Sequence, residues 1–343
     1  MTVLQFSAFK PELRFDAFEP LGAGDILECG WLALDDHPER TKASRRKAAA
    51  AKASEAARAE MMPFAITGHA FNEDATKVCL WDCWKPALGR DYLGIHQLTG
   101  SCVGAGGGNA LFSLAAADVI KRRDPEKAVI PLWLLPYGIS RMLDGMNDRG
   151  EGSSGSAFAK AAREYGHIPA DTDGCPKFVE TDGIIWSEKA ELDWSQGKKI
   201  PQKYLDAAKI HLVKTTAECS NADAVRDAIK SYFSVTIASD WGGQMRPGTS
   251  GTPPVLLNKR VTNWSHQMSV QAWWDHPSLG EIFWIQNQWG IDTHGRCPSG
   301  APGGGFWVLK KEIEWICNSG EVFAMSQFDG FPAPVQPLDF SAF

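Results

Sequence analysis

The order of the predicted elements is the sequence feature that most constrains the fold, because helical patterns come first and strand patterns follow. From about residue 84 onward the chain shows three helical patterns, and after residue 232 it shows short strand patterns. Helices and strands that do not alternate regularly argue against a parallel doubly wound sheet and predict an α+β fold. The predicted helices are 109–123, 153–165 and 221–232, and the predicted strands are 234–238, 266–274, 282–286 and 306–309.

Composition and charge narrow the class of protein. The chain has 343 residues, of which 44% are hydrophobic and 22% charged, as is typical of a soluble globular protein with a substantial core. A net charge of −6 gives no general electrostatic basis for binding nucleic acid or an anionic membrane. No apolar run approaches the roughly 20 residues that span a bilayer, and residues 1–5 lack a secretory signal pattern. We therefore expect neither a nucleic-acid nor a membrane partner.

The cysteines favour reduced thiols. All eight are scattered along the chain and do not form the dense framework of a small disulfide-bonded protein. This predicts a location in the cytoplasm or within an assembled particle such as a virion. A zinc site using Cys79, Cys83, His294 and Cys297 is the alternative, but the two pairs lie about 200 residues apart. Ordinary buried thiols are favoured, so no metal or other cofactor is expected.

Four segments of different character divide the chain. An extended arm is predicted over residues 1–38, and an Ala-rich, basic helix with a linker is predicted over residues 39–83. A globular domain is predicted over 84–325, followed by a C-terminal arm over 326–343. The apolar positions of the Ala-rich helix bury little surface, which favours a solvated helix or a linker over a basic contact surface.

A short motif, Leu-x-Phe-(Ser/Asp)-Ala-Phe, occurs three times near the ends of the chain. The copies occupy residues 4–9, 13–18 and 338–343. Each Leu or Phe of the motif that stays exposed to water would lose about 1.5–3 kcal/mol of the stabilisation that burial provides. The motif therefore predicts docking into a repeated groove, on this protein, on a symmetry mate or on a different assembly partner. Packing of the arms on their own domain is the alternative.

Cys102 is the candidate nucleophile. It lies in the run Gly100-Ser101-Cys102-Val103-Gly104, directly before the first predicted helix. The positive end of a helix dipole favours the thiolate form of a cysteine at this position. A buried structural cysteine is the alternative. A phosphate-binding loop over 104–108 is disfavoured because the glycine run lacks a Gly-Lys-Ser/Thr ending and no strand precedes it.

A nucleophilic thiol needs a base, and His266 is the best-placed histidine. It opens a predicted strand, which is a rigid element from which an imidazole can be aimed. Asn287 ends the next strand, where its amide can bind one imidazole nitrogen and leave the other for the thiol. Trp289 follows closely and is expected to shield that hydrogen bond from water.

The ordered set of Gly-Ser-Cys before a helix, His at a strand start and Asn-x-Trp-Gly resembles the papain-like cysteine peptidases. The resemblance covers about residues 84–325, with weaker matches at 152–169, 228–237 and 303–308. It implies a two-lobed fold, with a helical left lobe, an antiparallel, barrel-like right lobe and an active-site cleft between them. It also implies Cys102 as the nucleophile, His266 as the base and Asn287 as the residue that orients the base.

Several positions depart from the family pattern. The family carries a Gln six residues before the nucleophile as an oxyanion donor, whereas here Gln97 lies five before it and His96 occupies position six. Gln97, together with the Cys102 backbone N–H, is the predicted donor pair. Val103 replaces the usual aromatic residue and Gln288 replaces the usual Ser. The pattern therefore predicts the fold and leaves present activity open.

Two functions follow from these features. The first is a cysteine peptidase that cleaves protein or peptide substrates, in which residues 1–83 would serve as a blocking pro-segment, although they contain no family pro-region motif. The second is a structural subunit of a large assembly such as a phage virion, which retains the peptidase fold and docks through its terminal arms. The two are compatible, since a particle can carry a peptidase.

Overall fold

The computed structural model describes residues 62–64, 74–124, 127–146, 151–298 and 300–331. The three motif copies and the Ala-rich segment 39–60 lie outside the described residues, so their predicted roles stay predictions. In the described part, helices lead and a large sheet follows, which confirms the α+β prediction.

The described residues form eight α-helices, most of them in the first half of the domain. Ser154 caps α4, where its side chain accepts from Ala157 N, and Asn221 caps α7 in the same way by accepting from Ala224 N. Gly166 follows α4 with a φ of 78°. The helices are α1 (Trp84–Leu88), α2 (Cys102–Lys121), α3 (Leu134–Leu143), α4 (Gly155–Glu164), α5 (Glu188–Trp194), α6 (Gln202–Ala208), α7 (Ala222–Lys230) and α8 (Lys310–Ser319).

Ten strands form one large open sheet, and three short strands form a second sheet. The order in the large sheet is β1-β6-β13-β7-β10-β11-β12-β9-β8, with β2 pairing to β10 outside this path. The small sheet has the order β3-β5-β4. The strands are β1 (Met62–Pro63), β2 (Lys77–Cys79), β3 (Ile95–His96), β4 (Val179–Glu180), β5 (Ile184–Ile185), β6 (Thr215–Glu218), β7 (Ser234–Ser239), β8 (Gly248–Ser250), β9 (Val255–Asn258), β10 (His266–His276), β11 (Gly280–Gln286), β12 (Gly305–Leu309) and β13 (Glu321–Ser326).

The central strand β10 connects the sheet to the helical part. It pairs antiparallel with β7, where His266 faces Ser239, and with β11, where Ser269 faces Gln286. Its first eight residues are buried, since β10 also packs against α2. The start of β10, the end of β11 and the first turn of α2 therefore meet at one place.

Close packing explains the glycine run in α2. A Cβ at Gly107 would lie 2.1 Å from the Phe158 ring, and a Cβ at Gly106 would lie 2.8 Å from the Gln267 backbone carbonyl. Each Gly costs a helix about 1 kcal/mol relative to Ala, which here is the cost of bringing α2 against β10 and α4. By length and composition α2 also meets the criteria for a membrane span, contrary to the sequence expectation, but 83% of its apolar window is buried inside the protein.

Some boundaries differ from the sequence prediction. The first buried helix begins at Cys102 instead of residue 109. The sheet begins before residue 84, because β2 pairs with β10 in the register Ala272 to Cys79. At the other end, Phe331 packs edge-on against Phe64 and Phe233, beyond the predicted limit of 325. These contacts join residues that are far apart in the sequence, so local sequence patterns did not indicate them.

Candidate active site

Cys102 is the first residue of α2, and its side chain is fully buried. The Gln267 backbone N–H donates to Cys102 Sγ at 3.4 Å. The helix dipole and this N–H both place positive potential at the sulfur, which favours the thiolate. The thiol therefore lies beside the second residue of β10.

His266 opens β10 and is fully buried. Its Nε2 lies 2.8 Å from Asn287 Oδ1. The indole of Trp289 stacks on the imidazole, with ring centroids 4.5 Å apart and planes inclined by 28°. Asn287 therefore binds one edge of the His266 ring, and Trp289 covers one face of it.

The side-chain amide of Asn287 has partners at both ends. Its Oδ1 accepts from the Gln288 backbone N–H at 2.7 Å in addition to His266, and its Nδ2 lies 2.8 Å from His294 Nε2. The Asn287 backbone N–H donates to the Gly304 carbonyl at 3.1 Å. Both the main chain and the amide plane are therefore fixed.

His294 lies behind Asn287, a position that sequence reasoning missed. Its Nδ1 is 3.0 Å from the Met245 carbonyl, which can only accept. Burial lowers the pKa of His294 to about 4, so the ring is neutral at pH 7 and its Nε2 is an acceptor for the Asn287 amide. In the sequence His294 drew attention only as a metal ligand, because nothing in the local pattern indicates a contact with Asn287.

Gln97 and His96 point to different surroundings. Gln97 is buried, its backbone N–H donates to the Gln288 carbonyl at 2.9 Å, and its Nε2 donates to the Thr99 carbonyl at 2.8 Å. His96 instead lies with its Nδ1 3.0 Å from the Asp182 carbonyl. The side chain of Gln97 is therefore bound to the loop that leads into Cys102, whereas that of His96 is bound to the turn between β4 and β5.

A buried carboxylate, Glu191 of α5, holds that loop. Its Oε1 accepts from Leu98 N at 3.0 Å, and its Oε2 accepts from Thr99 N at 3.0 Å and from the Thr99 and Ser101 hydroxyls at 2.7 Å each. Burial raises the pKa of Glu191, while the hydrogen bonds from the loop act to lower it. Sequence reasoning missed Glu191 because it lies 93 residues from Leu98 and 90 residues from Ser101 along the chain.

Two glutamine amides join the start of α2 to β10. Gln267 Nε2 donates to the Val103 carbonyl at 2.9 Å, and Gln288 Nε2 donates to the Cys102 carbonyl at 3.3 Å and to the Gln267 carbonyl. Gln288 therefore ties the first residue of α2 to β10 next to the thiol.

The alternative zinc site finds no support in the described residues, which contain no group of three or more His, Cys, Asp or Glu side chains able to hold a metal ion. Burial raises the pKa of Cys79 to about 12 and that of Cys83 to about 11, so both side chains are protonated thiols at pH 7. His294 binds Met245 and Asn287 instead.

Comparison with known proteins finds solved structures with a similar fold. No protein-family model and no curated protein matches the sequence. Among solved structures, xylellain, a cysteine protease from Xylella fastidiosa, superposes with a TM-score of 0.52 and 14% identity, covering 76% of this chain and 89% of xylellain. Digestive procathepsin L 3 from the larval midgut of Tenebrio molitor gives a TM-score of 0.50 and 10% identity over 82% of this chain and 80% of that protein.

These similarities confirm the papain-like fold that the sequence motifs imply. The right lobe differs in one respect from the barrel-like expectation, because the strands of the described residues form an open sheet. At 10–14% identity the similarity concerns the fold alone.

Proposed function

We propose that the protein is a cysteine peptidase that hydrolyses peptide bonds with Cys102 as nucleophile, His266 as base and Asn287 as the residue that orients the base. The observation that carries the proposal is the 2.8 Å contact between His266 Nε2 and Asn287 Oδ1. It occurs at the start of the strand whose next backbone amide lies 3.4 Å from Cys102 Sγ. Fold and site geometry thus support the same chemistry.

The reaction follows from these positions. His266 takes the proton of the Cys102 thiol, and the thiolate attacks the scissile carbonyl carbon. The carbonyl electron pair moves to oxygen, where the Cys102 backbone N–H and Gln97 Nε2 are the proposed donors. Collapse of this intermediate expels the amine, which takes a proton from His266, and leaves a thioester on Cys102. His266 then removes a proton from water, which attacks the thioester, releases the carboxylic acid and restores the thiolate.

Hydrolysis of a fluorogenic peptide library tests the proposal, with the residue before the scissile bond varied. We expect cleavage by the full-length protein and a loss of about 10³-fold or more in Cys102→Ala and in His266→Ala. Cys175→Ala is the matched control, because Cys175 is another buried free cysteine and lies outside the site. Equal hydrolysis by Cys102→Ala and the wild type would exclude the proposed nucleophile.

Alkylation by iodoacetamide provides an independent readout that requires no substrate. Because Cys102 and His266 are fully buried, a compact electrophile is the suitable first probe. Mass spectrometry of the Cys102 peptide should show alkylation at pH 6 that is faster than that of an ordinary thiol and that requires His266. An alkylation rate that is independent of His266 would contradict an activated thiol.

Docking of the terminal arms to an assembly partner is a separate proposal, which the repeated motif at 4–9, 13–18 and 338–343 supports. Removal of residues 1–18 and 338–343 should abolish co-sedimentation with the assembled particle and leave the peptidase reaction intact. Unchanged co-sedimentation would exclude the arms as docking peptides.

A further inference from the structure

We infer that His294 is a positioning residue for the active site: it fixes the Asn287 amide so that His266 keeps the tautomer whose Nδ1 exchanges a proton with the thiol. This inference rests on the proposed role of His266 as the base. Three hydrogen bonds in series carry it. They join the Met245 carbonyl to His294 Nδ1 at 3.0 Å, His294 Nε2 to Asn287 Nδ2 at 2.8 Å, and Asn287 Oδ1 to His266 Nε2 at 2.8 Å.

The direction of the series follows from its first member. A backbone carbonyl only accepts, so the Met245 oxygen requires the proton of His294 on Nδ1. A neutral imidazole with its proton on Nδ1 accepts at Nε2, so Asn287 must present its NH₂ group to His294. The amide oxygen then faces His266 and accepts from Nε2–H. The neutral His266 ring therefore carries its lone pair on Nδ1.

A second backbone group points the same way. The Gln288 N–H donates to Asn287 Oδ1 at 2.7 Å and disfavours a flipped amide. A flip would lose this bond and also the bond to His294, because two donors would then face each other and two acceptors would face each other. His294 and the Gln288 N–H therefore both orient the Asn287 amide. Removal of His294 is expected to weaken this orientation without abolishing it.

The surroundings of His294 hold its ring in place and keep it neutral. Its ring packs edge-on against Phe306 at 4.7 Å between centroids and lies nearly parallel to Trp264 at 6.1 Å. Burial is the main cause of the lowered pKa, and the nearby Arg246 lowers it further, while the Met245 carbonyl raises it. These ring contacts and the bond to the Met245 carbonyl hold the imidazole with its Nε2 towards Asn287.

A packed core histidine without influence on the base is the competing interpretation, and two substitutions separate the two. His294→Phe keeps an aromatic ring but removes the acceptor. His294→Gln retains a carbonyl oxygen that can accept from Asn287 Nδ2. We expect alkylation of Cys102 at pH 6–7 to slow about 10-fold in His294→Phe, in the range typical of lost secondary contacts, and by no more than about 3-fold in His294→Gln. Equal rates in all three proteins, or an equal loss in both variants, would overturn the inference.

Nitrogen NMR of ¹⁵N-histidine-labelled wild-type protein tests the series without any variant that might misfold. At pH 7 His294 should show the Nδ1–H tautomer, with Nε2 unprotonated. A proton on Nε2 of His294 would overturn the inference.

The two proposals fail separately. Wild-type protein with the expected His294 tautomer, with alkylation slowed only by His294→Phe, but without peptide hydrolysis would remove the peptidase proposal and retain the positioning role. Peptide hydrolysis that is equal in wild type and His294→Phe would do the reverse.

Discussion

The two sides of the candidate active site are held by opposite chemistry. On the helical side, the loop leading to Cys102 depends on a buried ionised carboxylate, Glu191, which accepts four hydrogen bonds. On the sheet side, His266 is oriented through a neutral amide and a neutral imidazole, Asn287 and His294. One side therefore depends on a buried acidic group, and the other depends on two neutral groups.

The two supports also respond to pH in opposite directions. The raised pKa of Glu191 means that the folded protein binds this proton more readily than the unfolded chain does. The stability that Glu191 contributes therefore falls as the pH rises from its pKa in the unfolded chain through its higher pKa in the folded protein. The lowered pKa of His294 means that the unfolded chain binds the proton more readily, so stability falls as pH drops from about 6.5 to about 4. Substitutions at the two residues should separate these effects.

Removal of the carboxylate should have the largest effect. Glu191→Ala leaves four donors of the loop without their acceptor and is expected to lower the free energy of unfolding by about 4 kcal/mol, measured by urea denaturation at pH 7. Glu191→Gln is the matched control, because it keeps the shape and one acceptor oxygen and should cost less. A loss below about 1 kcal/mol in Glu191→Ala would show that water replaces the carboxylate.

The pH dependence of His294→Gln should have the next largest effect. Between pH 6.5 and 4 the wild type loses stability through His294, by up to about 3 kcal/mol for a pKa of about 4, and the variant lacks this loss. Urea denaturation of both proteins at several pH values measures the difference, which cancels the contributions of other titrating groups. Parallel stability curves would contradict a neutral, buried His294.

Substitution of the proposed oxyanion donor, Gln97, tests the helical side of the site through the reaction rate. Gln97→Ala should lower kcat about 10²-fold, at the lower end for a lost donor because Nε2 also binds the Thr99 carbonyl. His96→Ala should stay within about 3-fold, since its ring lies 3.0 Å from the Asp182 carbonyl in the turn between β4 and β5. A larger loss in His96→Ala would reassign the donor to the position six residues before Cys102.

The tie between the two sides should show the smallest effect. Gln288→Ser removes the amide that donates to the Cys102 and Gln267 carbonyls, and we expect a loss of about 1 kcal/mol in the free energy of unfolding. Gln202→Ser on the exposed face of α6 is the matched control and should be neutral, because its amide donates to the neighbouring, exposed Asp206 side chain. A neutral Gln288→Ser would mean that the lobes are held together elsewhere.

Local sequence patterns predicted the parts of the fold and site that depend on short-range order. The helices predicted over 153–165 and 221–232 and the strand that starts at His266 are such features. The supports of the site were not predictable in this way. Glu191 lies 93 residues from Leu98, and His294 lies 49 residues from Met245, so only the folded chain brings them together.

The glycine run of α2 also limits how the protein can be engineered. Replacing helix glycines by alanine usually stabilises a protein by about 0.4–1 kcal/mol through the unfolded chain. At Gly107 and Gly106 the added methyl group would instead enter space occupied by the Phe158 ring and by the Gln267 carbonyl. The Gln267 carbonyl belongs to the same residue whose N–H contacts Cys102 Sγ, so a substitution meant to strengthen the helix would crowd the backbone beside this thiol. Thermostable variants are better sought on surfaces away from this helix.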